Sequence, residues 1–353
     1  MAESAVPQTR ILETSNPTQF EESVSEVVRC LSVGGIAAIP TETVYGLAAD
    51  GFNPEAVARI YEIKGRPAFN PIILHVSSLG MLRECVSEVP EILGALAESF
   101  WPGPLTVVLP RSSKVPDIIT AGGETVALRW PGHPFMREVI RRLGRPVAAP
   151  SANLSTRLSP TTAEHVLSQL DGTISLVVDA GACNVGIEST VVDLTVSPPV
   201  ILRPGIIDRT ALSAVLPGIR EFSSDGTRGT TARSPGQMLV HYAPQTPLVL
   251  FDFEDEKALL RLVSGRGTIP EKVHILTHVP RLLESAWGNT TLIPEDPEAY
   301  ARALYAELYR SDVSGSDLLL VERPPESGQW AGIHDRLRRA SCRNPTKPVD
   351  PLN

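Results

Sequence analysis

The sequence predicts an α/β protein with two domains, the first a mixed α/β domain and the second built on a smaller doubly wound sheet. Three observations carry this prediction. Strand-like apolar runs alternate with helix-like patterns along most of the chain, which is typical of an α/β fold. The length of 353 residues exceeds the usual size of one domain. A polar stretch rich in Gly and Pro, residues 221–246, interrupts the alternation and indicates a linker.

The helices of the first domain are predicted from the helical spacing of apolar residues and from capping residues. Asn53 and Pro54 are a typical N-cap and first helical residue, and Gly65 is a typical helix end. Thr161 followed by Glu164 has the pattern of a capping box. Helices are therefore expected at residues 17–33, 55–64, 79–86, 90–99 and 134–143, with two more starting at Thr161 and Asp208.

The strands of the same domain are predicted from runs of apolar and β-branched residues. Polar residues stand near the ends of several of these runs, and strand ends in an open α/β sheet line a ligand crevice. Strands are expected at residues 35–40, 72–76, 105–109, 126–130, 147–149, 174–178, 190–194 and 200–202.

Beyond residue 246 strands and helices alternate with short connections, as in a small doubly wound sheet. No G-x-G-x-x-G segment opens this part, so nucleotide binding is not predicted there. Its strands are expected at 248–252, 272–276, 290–293 and 317–322, and its helices at 254–263, 280–286, 297–310 and 333–341. The predicted divisions are a first domain at 15–216, a linker at 217–246, a second domain at 247–341 and a tail at 342–353.

Composition excludes several classes of protein. A formal net charge of −8 argues against nonspecific binding to nucleic acid or membranes. No apolar run approaches the length of a membrane span. The sequence has no P-loop, H-E-x-x-H or G-x-S-x-G motif, and its cysteines form no C-x-x-C pair. We therefore expect a cytoplasmic protein with reduced thiols and no membrane partner.

A set of cations and hydroxyls near strand ends is the candidate site. Lys64 with Arg66, taken alone, equally suits a helix C-terminus, and Ser151 with Asn153 equally suits an ordinary turn. An arginine inside an apolar strand, Arg129, needs an anionic partner if it is buried. Several such cations in one sheet favour a polyanionic ligand, and phosphate is an anion that lysine and arginine recognise well.

Seven segments in this order also carry a resemblance: PTETVYGL, KGRPAFNPI, FWPGPLTVVLP, TVALRWPGHP, APSANLSTRLSPT, GIESTVVDL and ILRPG. They resemble the YrdC-like threonylcarbamoyl-AMP synthases, and SPGQMLVHYAP followed by a small domain is similar to the long two-domain form. The resemblance implies a YrdC-like catalytic domain, a twisted mixed sheet with flanking helices and a concave crevice, and a Rossmann-like doubly wound C-terminal domain. It also implies that the linker is a lid, although Leu239 and Val240 replace the expected lysine and tyrosine.

The activity implied is nucleotidyl transfer. L-threonine, bicarbonate and ATP would give threonylcarbamoyl-AMP, pyrophosphate and water, and the product would pass to the tRNA threonylcarbamoyl transferase machinery. Mg²⁺ accompanying ATP is the implied cofactor, without an organic cofactor. Lys64 and Arg66 are the implied catalytic residues. The implied ATP-binding residues are Lys64, Arg66, Asn70, Thr125, Ser151, Asn153, Ser159, Arg203 and Tyr242, and those for L-threonine are Thr43, His75, Arg129, Ala149 and Ser189.

Two alternative functions make different demands on the sequence. An RNA-binding module of the same fold would bind bare tRNA without consuming ATP, but the net negative charge and the absence of an aromatic and basic surface pattern count against it. A carbamoyl-transfer protein of hydrogenase maturation would need zinc-finger cysteine pairs and an acylphosphatase unit, and the sequence has neither. The synthase is therefore the preferred prediction.

Overall fold

A computed structural model describes residues 8–222, 242–278, 280, 282 and 287–342. Residues 223–241, most of the predicted linker with Leu239 and Val240, lie outside the described residues, as does the tail from 343. The chain divides into two compact units. Over the described residues, the first unit comprises 8–155 and 159–222, and the second comprises 156–158 and the residues from 242 onward.

The sheet of the first unit contains eleven strands within the described residues. They are β1 (Arg10–Glu13), β2 (Ala37–Ile39), β3 (Gly46–Asp50), β4 (Leu74–His75), β5 (Leu105–Pro110), β6 (Thr125–Arg129), β7 (Val147–Ala148), β8 (Leu176–Asp179), β9 (Thr190–Asp193), β10 (Val200–Arg203) and β11 (Arg220–Glu221). Their order is β1-β8-β2-β3-β7-β4-β6-β5-β9-β10-β11. β4 is parallel to β6 and β5 to β9, whereas β5 is antiparallel to β6, so the sheet is mixed as predicted.

The helices of the first unit begin and end largely where capping chemistry predicts. They are α1 (Pro17–Ser32), α2 (Pro54–Lys64), α3 (Leu79–Cys85), α4 (Leu93–Phe100), α5 (Asp117–Thr120), α6 (Pro134–Leu143), α7 (Ala163–Leu170) and α8 (Arg209–Ser213). Asn53 caps α2 by accepting a hydrogen bond from the Ala56 amide, and Gly65 ends the helix with a φ of +56°. This geometry places Lys64 on the last turn of α2.

The predicted capping box at Thr161 is wrong. The N-cap of α7 is Thr162, whose side chain accepts a hydrogen bond from the His165 amide. Glu164 therefore stands two residues after the cap, and not three, so it is out of place for the reciprocal bond. Thr161 instead bonds through its amide and hydroxyl to the His165 ring.

The two faces of the sheet differ in the site region. Leu74, Val107 and Leu128 belong to the main hydrophobic core. Because side chains alternate along a strand, the next residues on these strands project to the opposite face. That face carries a smaller apolar cluster, which contains Ile73, Val108, Ala127, Val191 and Leu202. The polar strand residues His75, Thr106 and Arg129 share this second face.

The second unit is built on a parallel four-stranded sheet, counted over its described residues. The strands are β12 (Leu248–Phe251), β13 (Val273–Thr277), β14 (Asn289–Leu292) and β15 (Leu318–Glu322), in the order β12-β15-β13-β14. The helices are α9 (Glu256–Ser264), α10 (Pro297–Val313) and α11 (Ala331–Ser341). Of the predicted helix at 280–286 only residues 280 and 282 are described. In neither unit does a described helix have the length and apolar character that crossing a bilayer requires.

Candidate functional site

The candidate site is organised by one row of residues across neighbouring strands. His75 pairs in register with Arg129, Arg129 with Thr106, Thr106 with Val191, and Val191 with Arg203. Residues in one such row project to the same face of a sheet. The four polar members are at most 4% exposed. Strand pairing thus brings two of the predicted cations, Arg129 and Arg203, and the predicted His75 to one face of the sheet.

A β-bulge aims Arg203 at this face. Ile201 pairs with Val192 but Arg203 pairs with Val191, so Leu202 is an extra residue in β10. Nε of Arg203 donates to the Ser189 carbonyl at 3.1 Å, and Nη2 donates to Ser189 Oγ at 3.1 Å. Ser189 Oγ also lies 2.7 Å from Thr106 Oγ1. Arg203 therefore fixes the segment just before β9 through both its backbone and its hydroxyl.

Arg129 is held by three groups around its guanidinium. Nε donates to the Gly103 carbonyl at 3.2 Å, and Nη1 donates to Thr43 Oγ1 at 2.8 Å. Nη2 forms an ion pair with Glu42 Oε1 at 2.8 Å. This ion pair supplies the anionic partner that a buried strand arginine needs.

Glu42 is an acidic partner fixed from two sides. Besides facing Arg129, its Oε1 accepts a hydrogen bond of 2.7 Å from the Gly132 amide. Burial alone raises the pKa of Glu42, but the charge of Arg129 and the bond from Gly132 outweigh burial, so the pKa lies below its ordinary value. Glu42 is therefore a carboxylate at neutral pH.

The hydroxyls beside Arg129 form a chain with one direction. Since an arginine only donates, Thr43 Oγ1 accepts from Arg129. Thr41 Oγ1 donates to the Val44 carbonyl at 2.6 Å, so the 2.9 Å contact between the two threonine hydroxyls has Thr43 as its donor. The turn between β2 and β3 thus holds Thr43 in a fixed orientation against Arg129.

His75 is a neutral imidazole in this setting. It is 2% exposed, and burial together with the charge of Arg129 lowers its pKa to about 3. A neutral ring has one nitrogen that donates and one that accepts. His75 is thus suited to a hydrogen bond with a hydroxyl and not to pairing with an anion.

Lys64 joins the end of α2 to the segment that follows β7. Its Nζ donates to the Ser151 carbonyl at 2.5 Å, to the Asn153 carbonyl at 2.5 Å and to Asn153 Oδ1 at 3.3 Å. Lys64 is 2% exposed and Asn153 1%. Burial and the charge of Arg66 hold the pKa of Lys64 well below its ordinary value, and Glu188 opposes this shift. Three residues predicted to act together therefore lie in direct contact.

Arg66 braces the loop that leads into β4. Nε donates to the Asn70 carbonyl at 3.0 Å, and Nη2 donates to the Pro71 carbonyl at 2.7 Å. The Tyr61 hydroxyl also donates to the Asn70 carbonyl at 3.0 Å. The predicted pair of Arg66 and Asn70 is thereby brought together.

Ser159 contacts an acidic residue. Its hydroxyl donates to Glu188 Oε1 at 2.5 Å, and both residues are buried. Glu188 directly precedes Ser189, which bonds to Arg203. The 188–189 segment therefore links Ser159 to the cross-strand row.

Three predicted site residues are placed differently. Thr125 begins β6 and Arg129 ends it, so they share a face but are separated by about 13 Å along the strand. Ala149 directly follows β7 and donates its amide to the Ile73 carbonyl at 3.3 Å. Tyr242 belongs to the second unit, where its ring lies 6.0 Å from that of Tyr305. Their contacts with ligands stay predictions.

Three residues at the site were given no role by the sequence analysis, namely Glu42, Thr106 and Glu188. Glu42 stands inside PTETVYG, and the need of a buried arginine for a carboxylate was a signal for it. Thr106 is a single hydroxyl in an apolar strand, LTVVLP, and only the register shows that it faces Arg129. Glu188 precedes Ser189 in GIEST, so its position was visible although its bond to Ser159 was not.

Gly205 allows two backbone segments to approach closely at the site. A Cβ at Gly205 would lie 2.5 Å from the Thr190 nitrogen and 2.9 Å from the Glu188 carbonyl oxygen. We expect Gly205→Ala to lower the free energy of unfolding by about 1–3 kcal/mol, because the segment that holds Ser189 must shift. Gly94→Ala is the matched control, since no atom lies within 4 Å of its Cβ in α4. Urea unfolding checks both, and equal stability of the two variants would contradict this interpretation.

Comparisons with known proteins match both parts of the chain. The family Sua5/YciO/YrdC, described as "Telomere recombination", matches residues 29–205. The family described as "Threonylcarbamoyl-AMP synthase, C-terminal domain" matches residues 207–342. These matches confirm the resemblance and the two-part fold class predicted from the sequence.

Individual relatives agree over most of the length. The threonylcarbamoyl-AMP synthase of Pyrococcus abyssi is 40% identical, with 87% of this chain and 91% of the relative covered. That of Bacillus subtilis is 36% identical, with 94% of each covered. The crystal structure of P. abyssi Sua5 complexed with L-threonine has a TM-score of 0.85 at 36% identity and covers 95% of this chain and 98% of that one. The chain therefore belongs to the Sua5/YciO/YrdC family, in the form that carries the threonylcarbamoyl-AMP synthase C-terminal domain.

Proposed function

We propose that this protein is a threonylcarbamoyl-AMP synthase, which converts L-threonine, bicarbonate and ATP into threonylcarbamoyl-AMP, pyrophosphate and water. The observation that carries the proposal is the buried row in which Arg129 and Arg203 stand on either side of Thr106, with a neutral His75 at its end. Such a row suits an anionic substrate with a hydroxyl group. The relatives named as synthases, and the solved relative complexed with L-threonine, support the same activity.

The amino-acid substrate is assigned to the Arg129 side. A guanidinium can form two parallel bonds with a carboxylate, so Arg129 binds the carboxylate of threonine. Thr43 and Ser189 supply hydroxyls, and His75 supplies a neutral ring nitrogen for the substrate hydroxyl. Ala149 closes this side at the end of β7 through its backbone.

The triphosphate is assigned to the remaining cations. Lys64, Arg66 and Arg203 neutralise charge as pyrophosphate leaves, and the anion in turn favours the charged form of Lys64. The short polar side chains around them orient the nucleotide. These are Asn70, Ser151, Asn153 and Ser159, with Thr125 as a further proposed contact to ATP.

Mg²⁺ enters this proposal with ATP. Among the described residues no group of three or more His, Cys, Asp or Glu could hold a metal ion. Nucleotide sites ordinarily bind Mg²⁺ through phosphate oxygens, water and one or two carboxylates. A site that offers a single carboxylate beside the proposed phosphates fits that pattern. Glu188 is the carboxylate proposed to reach it. The ion would supply further charge neutralisation on the phosphates.

The chemistry requires positioning more than a strong base. The α-ammonium group of threonine releases one proton to solvent, and the resulting amine takes up bicarbonate to give a carbamate and water. A carbamate oxygen then attacks the α-phosphorus of ATP and displaces pyrophosphate. A buried cationic site accelerates such a step by holding the reactants in line and neutralising the transition state. The product is a mixed anhydride that a tRNA threonylcarbamoyl transferase would consume. The four cysteines are free, which fits the proposed cytoplasmic location.

Product identification tests the proposal. The protein is incubated with ATP, Mg²⁺, L-threonine and ¹³C-bicarbonate, and the nucleotides are analysed by mass spectrometry. The expected product is threonylcarbamoyl-AMP with one ¹³C atom, formed only when threonine is present. Unlabelled AMP as the sole nucleotide product would contradict the proposal. Binding of bare tRNA without any nucleotide product would favour the RNA-binding function.

The enzyme is expected to select threonine over valine. Valine has nearly the same shape but lacks the hydroxyl, so it offers no hydrogen bond to His75 Nδ1, which has no partner among the described residues, or to the nearby Thr43 and Ser189 hydroxyls. A site that hydrogen-bonds a hydroxyl rejects the apolar isostere by about 10⁴-fold in kcat/KM. Pyrophosphate release at varied threonine, serine and valine concentrations measures this ratio. Serine should be the better of the two competitors, and equal kcat/KM for valine and threonine would contradict the assignment.

A further inference from the structure

Three buried polar atoms at the Arg129 side of the site have no hydrogen-bond partner among the residues that the structure describes. They are Glu42 Oε2, Arg129 Nη2 and His75 Nδ1. Buried polar groups are nearly always paired in native proteins, so each exception calls for an explanation. Three exceptions in one site are best explained by a ligand that supplies the missing partners.

The three residues that carry these atoms are neighbours. Arg129 Nη2 forms an ion pair of 2.8 Å with Glu42 Oε1. A terminal guanidinium nitrogen carries two protons, so one proton of Nη2 remains available to a ligand. His75 is the register partner of Arg129 on the adjacent strand. All three residues are in the first unit, and Arg129 and His75 are at most 4% exposed.

Each atom requires a different group from the ligand. A carboxylate oxygen such as Glu42 Oε2 only accepts, so it requires an N–H or O–H donor. A guanidinium nitrogen such as Arg129 Nη2 only donates, so it requires an acceptor. A neutral imidazole nitrogen matches a hydroxyl in either sense. An α-amino acid with a β-hydroxyl carries an ammonium, a carboxylate and a hydroxyl, which is one group for each atom.

We propose that Glu42 binds the α-ammonium group of the amino-acid substrate through Oε2, next to the carboxylate held by Arg129. This inference rests on the proposed function and names a recognition residue that the motif analysis did not assign. The oppositely charged pair matches the two charges of a zwitterion, so the substrate enters without adding net charge to a buried site. Monoanions that lack the ammonium group are then disfavoured, because they place a negative charge beside Glu42 without a compensating cation.

The geometry separates this role from simple support of Arg129. Oε1 already contacts both Arg129 and the Gly132 amide. Support of the arginine therefore requires only Oε1, and Oε2 has no donor among the described residues. A ligand ammonium group gives Oε2 a charge-assisted bond, and such bonds are stronger than neutral ones.

Calorimetric titration of the full-length protein tests the inference with two matched ligands. One is L-threonine and the other is 2,3-dihydroxybutanoate of the same configuration, in which a hydroxyl replaces the ammonium group. The proteins compared are the wild type, Glu42→Gln and Glu84→Gln. Glu84 is the matched control because it pairs with Lys114 on the surface, where its side chain is 54% exposed.

The expected result is a loss specific to the ammonium group. Wild type and Glu84→Gln should bind threonine at least about tenfold more tightly than the dihydroxy acid, as expected for one charge-assisted bond. Glu42→Gln should lose about 10- to 100-fold in threonine affinity, whereas its affinity for the dihydroxy acid should stay the same or rise. The preference for the amino acid should therefore disappear.

Other outcomes overturn the inference in distinguishable ways. If Glu42→Gln weakens both ligands by the same factor, Glu42 only positions Arg129. If wild type binds the dihydroxy acid as tightly as threonine, the ammonium group has no partner here, and this comparison does not depend on whether the variant folds. If wild type binds no threonine at all, the proposed function fails together with the inference.

Discussion

Replacement of Lys64 by methionine is expected to slow threonylcarbamoyl-AMP synthesis roughly 30- to 1000-fold. This corresponds to a rise of about 2–4 kcal/mol in the activation free energy. Lys64 is buried, and its ammonium group contacts the Ser151 and Asn153 carbonyls. Methionine has a similar apolar stem, but it lacks the positive charge and cannot donate hydrogen bonds to these carbonyls. The loss should therefore fall on kcat, because charge neutralisation matters most as pyrophosphate departs.

Two comparisons make the Lys64 prediction sharp. Lys114→Met removes an exposed lysine that pairs with Glu84, and it should leave turnover unchanged. Thermal unfolding of both variants separates lost chemistry from lost stability, since the Lys64 variant also leaves buried carbonyls unpaired. A folded Lys64→Met protein that releases pyrophosphate at the wild-type rate would show that Lys64 only anchors the 151–153 segment.

Replacement of Arg129 by methionine should produce the largest loss of stability in the site, about 3–5 kcal/mol, because it leaves Glu42 as a buried charge without its cation. The ion pair measures 2.8 Å, with Arg129 4% and Glu42 12% exposed in their side chains. Removal of both charges in Arg129→Met/Glu42→Gln should recover most of this stability. Threonine binding should be lost in both variants, since the carboxylate partner is absent in each.

Urea unfolding and calorimetric titration check this pair of variants. The stability of the double variant separates the cost of an unpaired charge from the cost of altered packing. A single variant as stable as wild type would contradict the assigned ion pair. A double variant that still binds threonine with wild-type affinity would show that the substrate carboxylate is held elsewhere.

The local elements of the fold could be predicted from the sequence where one chemical signal dominates. α2 begins at Pro54 after Asn53 and ends before Gly65, because an Asn cap and a left-handed Gly act within a few residues of the helix ends. The start of α7 could not be fixed, because Thr161 and Thr162 are both good caps. The His165 ring engages Thr161 and leaves Thr162 to cap.

β3 was missed for a different reason. Its sequence, GLAAD, consists mainly of small residues with low strand propensity. The strand exists because Ala48 and Leu47 pair with β2, and Ala49 and Asp50 pair with β7. Pairing of this kind depends on segments that are distant in sequence, so the local pattern of apolar residues does not predict it.

The candidate site shows the same division between local and distant signals. Cations near strand ends could be selected because polar residues are unusual in apolar strands. The sequence does not contain the register that aligns His75, Arg129 and Thr106, so Thr106 had no signal of its own. A carboxylate partner for Arg129 could be expected, because a buried arginine requires one. The sequence did not show that this partner is Glu42, because the turn between β2 and β3 places it there.

Pyrophosphate release from ATP tests the central claim most directly. The full-length protein is assayed with Mg²⁺ and ATP, with threonine and bicarbonate each present or omitted in a CO₂-depleted buffer. We predict release only when both are present, at a rate that rises with either one until the site is saturated. Release that continues at the same rate without threonine, or without bicarbonate, would contradict the account of this site as one that joins a threonine carbamate to the α-phosphate of ATP.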